Sequence, residues 1–336
     1  MILVILNHVA AYDLGINTAC DNNYHYYFGL FRMPLFFFVS GFLFYKSNYI
    51  WNIKNIGSFL NKKIFVQIIS PLLFLLCYIE FRDIPLLEAI THPTKKGYWF
   101  TFALFNYFVL YIAIKKVLDT IKIRERTSLV ILLSIGTILY YINANTILLK
   151  LNIPESILDV LTIKQSHFFI FFVLGACAKR YIKKFENALT DSYLLAIAIL
   201  LFFTLNIFVS ITWTEMSGIE KLIIKTLRIT LAVCGIAITF GFFKKQENFF
   251  SKENRTANIL KFIGKRTLDI YLLHYFFLSR NLPDIFPFFT EHNMPILEFA
   301  ASLILTAIVI SACLFTSSIL RINSTLSHYL FGTKKV

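Results

Sequence analysis

Charge is what this chain has least of. Only 15% of its 336 residues are charged, while 57% are hydrophobic, and mean hydropathy is +0.67. That balance excludes a soluble domain, and the polar connections are too short and too unpatterned to hold one. Acidic residues are scarcer still. Against 33 Lys and Arg stand 19 Asp and Glu, a net charge of +14. In a soluble protein that excess would point to nucleic acid. Here the basic residues cluster between apolar runs, which marks them as topology signals, and nucleic acid is not an expected partner. Cysteine is sparse: Cys77, Cys177, Cys234 and Cys313 fall in apolar runs and Cys20 in a polar connection. No spacing fits a disulfide framework or a zinc site, so no metal is expected. There is no internal repeat of the kind many transporters carry. The first apolar run lacks the basic head and small-residue cleavage site of a signal peptide. Phe and Tyr are abundant, 37 and 17, and read as lipid-facing filler.

What is present is a series of apolar stretches, most of them near the length of a membrane span. They lie at 1–12, 26–45, 64–81, 98–114, 128–149, 166–182, 193–213, 224–243, 262–280 and 296–320. The pattern predicts an all-α polytopic membrane bundle of about ten transmembrane helices, one integral membrane domain over 1–336. Of the Lys and Arg, 23 follow the even-numbered stretches and 7 lie in the other connections. This asymmetry predicts cytoplasmic N- and C-termini in a cell inner (plasma) membrane. Residues 1–11 make a helix of only about 16 Å, roughly half the hydrocarbon thickness. The first half of that span is therefore expected upstream of Met1.

Two polar features interrupt these runs. Arg32 stands at the head of the second stretch and Asn7-His8 lies in the first. A permanent cation in hydrocarbon costs several kcal/mol unless it faces a partner or a wet cavity, so it marks function by default. With the first helix running outward and the second inward, His8 and Arg32 both fall in the outer half of their spans and can meet.

The run ending Leu-Val-Ile-Leu-Asn-His8, followed by Phe31-Arg-Met-Pro-Leu-Phe-Phe-Phe-Val-Ser-Gly-Phe42, resembles the acyltransferase type 3 family of integral membrane acyltransferases. Gly97-Tyr-Trp-Phe100, Phe171-Phe-Val-Leu-Gly175 and Gly264-Lys-Arg-Thr-Leu-Asp-Ile-Tyr-Leu-Leu-His274 sit where that family has similar motifs. Met33-Pro34 before the aromatic run is most similar to the fucose O-acetylase-like subgroup. The resemblance implies ten membrane helices, a cytoplasmic acyl-CoA donor, usually acetyl-CoA, and a sugar or glycan hydroxyl as acceptor, with no permanently bound cofactor. It also implies an Arg about eleven positions before the first-helix His, some 16 Å along a helix, which here lies upstream of Met1.

Acyl transfer from a thioester to a hydroxyl needs a base or a nucleophile, and a positive group where the carbonyl oxygen gains charge. His8 suits either of the first two roles in its neutral form; the alternative is a packing histidine bonded to a neighbouring helix. Arg32 cannot take a proton, so it binds or stabilises charge, or else it snorkels from a helix end. Pro34 either frees backbone groups early in this helix or sits at its start. Ser40, beside Gly41, makes a close helix contact or touches the donor's pantetheine arm. Asp13 orients the imidazole or is a solvated loop carboxylate, the five-residue spacing favouring the second. Tyr271 and His274 share a helix face, near Asp269, and line an acceptor pocket or pack. Trp99 is an interfacial belt residue or stacks on sugar. Lys225 and Arg228, with Glu220, bind an anionic glycan or pair with one another. Lys244, Lys245, Lys265 and Arg266 are orientation signals, of which one or two touch nucleotide phosphates. The leading function is an O-acyltransferase carrying acetyl from acetyl-CoA to a surface or lipid-linked glycan. A transporter or flippase for a glycan precursor is the alternative, followed by an acyl carrier that needs a soluble partner.

Overall fold

The computed structural model describes residues 1–16, 24–47, 49–142, 148–150, 152–209, 218–251, 254–279, 288, 292 and 294–332. Cys20 and Arg280 lie outside them, as do Lys252, Lys334 and Lys335. Among the described residues every regular element is helical. Among the described residues seven helices are long and apolar enough to cross a membrane: α2 (Tyr24–Phe44), α3 (Ile53–Arg82), α4 (Trp99–Thr120), α5 (Glu125–Ile142), α7 (Ser192–Val209), α8 (Gly218–Lys245) and α11 (Pro295–Leu320). The remaining three predicted stretches form shorter helices, α1 (Ile2–Tyr12), α6 (Phe169–Arg180) and α10 (Thr267–Phe277). Among the other, shorter helices are two with polar faces, α9 (Arg255–Lys265) and α12 (Ser324–Phe331). On α7, Ile197, Leu200, Phe203 and Ile207 are between 52% and 72% exposed. Such a stripe, on a helix whose backbone bonds are satisfied internally, fits lipid. This is a multi-pass helical membrane protein.

Local chemistry sets the helix ends and irregularities. Asn52, Asn254 and Asn323 cap α3, α9 and α12, each accepting a backbone N–H from the first turn, which satisfies donors the helix leaves open. Within α3 a π-helical turn spans Phe65–Ile69. Pro71 follows it, and having no N–H it cannot close a bond to the Gln67 carbonyl, so the wider turn absorbs the break.

The chain divides into two compact units, Met1–Arg32 with Lys245–Val336, and Met33–Lys244. In the first, α1 and α10 both pack on α11. In the second, the C-terminal part of α2 and α6 approach until backbone meets backbone. A Cβ on Gly41 would fall 1.8 Å from the Phe172 carbonyl oxygen, and one on Gly175 2.0 Å from the Phe38 carbonyl oxygen. Small residues at a membrane interface permit that approach. Around the seam Phe37, Phe44, Tyr107, Phe108, Tyr111 and Phe172 form a continuous ring cluster, with centroids 4.9–6.1 Å apart in neighbouring pairs.

The seam has a direct test. Neither clash is with a movable side chain, so Gly41→Ala and Gly175→Ala are each expected to destabilise the protein by at least about 3 kcal/mol. Gly57, whose added Cβ meets nothing within 4 Å, is the control: Gly57→Ala is expected to be neutral or stabilising by up to ~1 kcal/mol. Thermal unfolding of the detergent-solubilised chain separates them, and equal melting temperatures for all three would refute the seam.

Candidate active site

The site is built in the first unit, from α1, α2 and α10. α1 is apolar throughout except for Asn7 and His8, so burying it on α11 brings those two groups into the protein with it. On α10 every residue from Asp269 to Tyr275 is buried. A polar group on such a helix faces the protein interior because lipid offers it nothing.

The imidazoles of His8 and His274 stack, with centroids 5.4 Å apart and planes 24° off parallel. His8 Nε2 lies 3.1 Å from the Tyr275 hydroxyl, and the Tyr12 ring, one turn further along α1, stands 5.8 Å from that of His8. His274 has its tautomer assigned by its surroundings. Its Nδ1 lies 2.8 Å from the Tyr271 carbonyl and 3.1 Å from that of Ile270. Carbonyls only accept, so Nδ1 carries the proton and Nε2 of the neutral ring is a lone-pair acceptor. That Nε2 is buried and has no protein partner among the described residues.

Arg32 enters from α2. The sequence reading put it at the head of that helix, with Pro34 in the first turns or at the start; the structure corrects both. α2 begins at Tyr24 and contains Pro34 in its interior, because the Tyr24-His25-Tyr26-Tyr27 run is helical despite its polar tips. Arg32 is thus more than two turns inside, beyond the end position a snorkelling side chain would use. Pro34 also deprives the Leu30 carbonyl of its helical donor, leaving an acceptor close to Arg32 in sequence. The guanidinium lies within electrostatic reach of His8, His25 and Tyr275. Its Nη1 is buried with no hydrogen-bond partner among the described residues. A fixed cation with an unspent donor beside a neutral imidazole can polarise a carbonyl while the imidazole takes a proton or attacks.

Asp13 also departs from expectation. It is not a solvated loop carboxylate: it is 4% exposed, ends α1 and accepts the Ser279 backbone N–H. Spacing along α1 could not reveal this partner from the end of α10. Tyr271 is buried with its ring 6.1 Å from His274. Tyr275 escaped the sequence reading, although the dipeptide His274-Tyr275 in an apolar run is the same signal as Asn7-His8. So did His25, whose Nε2 is 3.6 Å from a Glu298 carboxylate oxygen, next to a 3.0 Å bond between the Tyr24 and Ser302 hydroxyls.

Ser40, Trp99 and Arg228 belong to the second unit. The Ser40 hydroxyl donates to the Phe36 carbonyl of its own helix, 2.8 Å away. Trp99 stacks on Phe168 and touches Phe37 and Phe100, inside the ring cluster rather than at a free edge. Arg228 lies within electrostatic reach of Tyr140, and its neighbour Lys225 donates to the Tyr141 carbonyl at 2.9 Å.

Asp13 makes the pH behaviour testable. Burial pushes its carboxyl up to about 6, with the Ser279 N–H acting in the opposite direction. A carboxyl raised in the folded chain contributes its stability fully below its unfolded value and loses it as pH rises through about 6. Asp13→Asn keeps an acceptor for Ser279. It is expected to melt higher than the parent above pH 6 and to match it at about pH 4; a difference independent of pH would contradict this assignment.

Comparison with known proteins agrees with the geometry. No curated protein and no solved structure matches the chain. A family model described as an acyltransferase domain, that of acyltransferase type 3, matches residues 1–315. With nearly its whole length matched, and with an imidazole and a guanidinium converging between its membrane helices, the chain belongs to this family of membrane acyltransferases.

Proposed function

We propose that the chain is an O-acyltransferase that moves an acetyl group from cytoplasmic acetyl-CoA to a hydroxyl of a surface or lipid-linked glycan sugar. Its place is the cell inner (plasma) membrane, with both termini in the cytoplasm. Met33-Pro34 before the aromatic run favours acceptors of the fucose O-acetylase-like subgroup. The observation that carries this reading is the buried, unspent Nη1 of Arg32 within reach of His8.

The chemistry follows from those two groups. The sugar oxygen attacks the thioester carbonyl carbon as the neutral His8 imidazole takes its proton. Negative charge gathers on the carbonyl oxygen, where Arg32 offers a fixed donor that needs no reorganisation. Collapse of the tetrahedral species breaks the carbon–sulfur bond, and the imidazolium returns the proton to the CoA thiolate, so no proton is gained or lost. An order in which His8 attacks first and carries the acetyl group uses the same residues. Tyr275, bonded to His8, holds the ring in position and acts through it.

In cells, His8→Ala is expected to lower the rate of glycan O-acetylation about 10²- to 10⁴-fold, and Arg32→Ala about 10²- to 10³-fold, at matched membrane levels. Full acetylation by both variants would defeat the proposal. Loss of glycan export with normal acetylation would instead favour the transporter.

A further inference from the structure

One charged cluster of the first unit takes no part in the site described above. Asp269, 1% exposed at the start of α10, is gripped by two guanidiniums. Arg321 donates through Nε and Nη2 at 2.8 and 2.7 Å, a bidentate fork, and Arg266 donates through Nη1 at 3.1 Å. The Ser317 hydroxyl bonds to the same carboxylate.

Its charge balance is unlike that of the other clusters. Lys115 is shared between Asp119 and Glu125, and Lys164 between Glu155 and Asp159. Each has one cation for two anions. The Asp269 cluster has two cations for one anion, and both guanidiniums are partly exposed, 25% and 20%. Among the described residues Arg266 bonds through Nη1 alone, so its Nε–H and second amino group remain to be used. Arg321 likewise keeps its Nη1 group. A staple joining α10 to α11 needs one Arg; the second leaves a net positive charge and a set of donors aimed by a buried carboxylate, which suits a phosphate.

The position of the cluster fits a long phosphorylated ligand. Arg266 lies over the Phe262 ring, 5.7 Å from its centroid. From Arg266 to Tyr275 the chain rises about 14 Å, a distance within the span of an extended pantetheine arm. The basic connections place the Arg266 end on the cytoplasmic side.

We propose that Arg266 and Arg321, held by Asp269, form the phosphate subsite for the nucleotide end of the acyl-CoA donor. This rests on acyl-CoA being the donor. The full-length chain in detergent is titrated with CoA and with pantetheine, which has the arm but lacks the nucleotide. Arg266→Gln is expected to weaken CoA binding about tenfold or more relative to pantetheine, and to flatten the salt dependence of CoA binding; Arg266→Lys is expected to recover part of both. Arg321→Gln should act in the same direction, and Arg266→Gln carries the test if that second variant does not fold. Equal losses for both ligands, or no loss, would overturn the subsite and leave a structural staple. A parent protein that binds pantetheine no more weakly than CoA would also overturn it. One that binds neither would overturn the acyl-CoA reading itself.

Discussion

A cation without a carboxylate, placed where water is scarce, is the constraint on which this molecule turns. Arg32 is committed to its charge, and an uncompensated guanidinium in a membrane costs several kcal/mol. Helical periodicity alone would tolerate a leucine there. The groups within its electrostatic reach are neutral ones: the imidazoles of His8 and His25 and the Tyr275 hydroxyl. Each of these can be approached by positive charge without forming an ion pair. A carboxylate in their place would neutralise Arg32 and end its usefulness to a developing oxyanion.

Much of this was legible in the chain. Apolar length marked ten stretches, and each contains a helix; among the described residues seven of these helices are long and apolar enough to cross a membrane. The expense of polar groups in lipid singled out His8 and Arg32 before any contact was known. What remained hidden depends on contacts between segments remote in sequence. Tyr275 meets His8 across 267 residues, and the buried Asp13 takes its backbone N–H from Ser279. Periodicity on one helix carries no information about which remote helix faces it. The second stretch, read from residue 26, begins two residues earlier as a helix, at Tyr24, whose ring packs as an apolar body against Phe299 at 4.8 Å despite its polar tip.

The two units pair their cations differently. In the second, Lys115 and Lys164 are each held by two carboxylates, and the seam between α2 and α6 is closed by backbone contact at Gly41 and Gly175, a geometry that tolerates no extra methyl group. That is how a rigid scaffold is made where hydrophobic burial gives little preference for helix over lipid. In the first unit, polar atoms are left with unspent capacity: Arg32 Nη1, His274 Nε2 and one Asp13 oxygen. Buried polar atoms are ordinarily satisfied. Exceptions occur in both units; those of the first on α1, α2 and α10 lie around the paired imidazoles and the guanidinium, where a substrate can complete the bonds.

That contrast bears on what α10 is for. Its eleven residues are too few to span a bilayer, and a short helix is poorly justified as lipid-facing structure. Its composition makes sense as a ruler. Asp269 at its N-terminal end organises two arginines, and His274 and Tyr275, between one and two turns further, meet the imidazole of α1. A donor whose phosphates and thioester are separated by a fixed arm needs two charged stations held at a set distance, and a helix buried on every side supplies that distance with little flexure. On this reading the motif from Gly264 to His274 is one device, and the Asp269 salt bridges serve to hold its register against α11 as much as to hold a ligand.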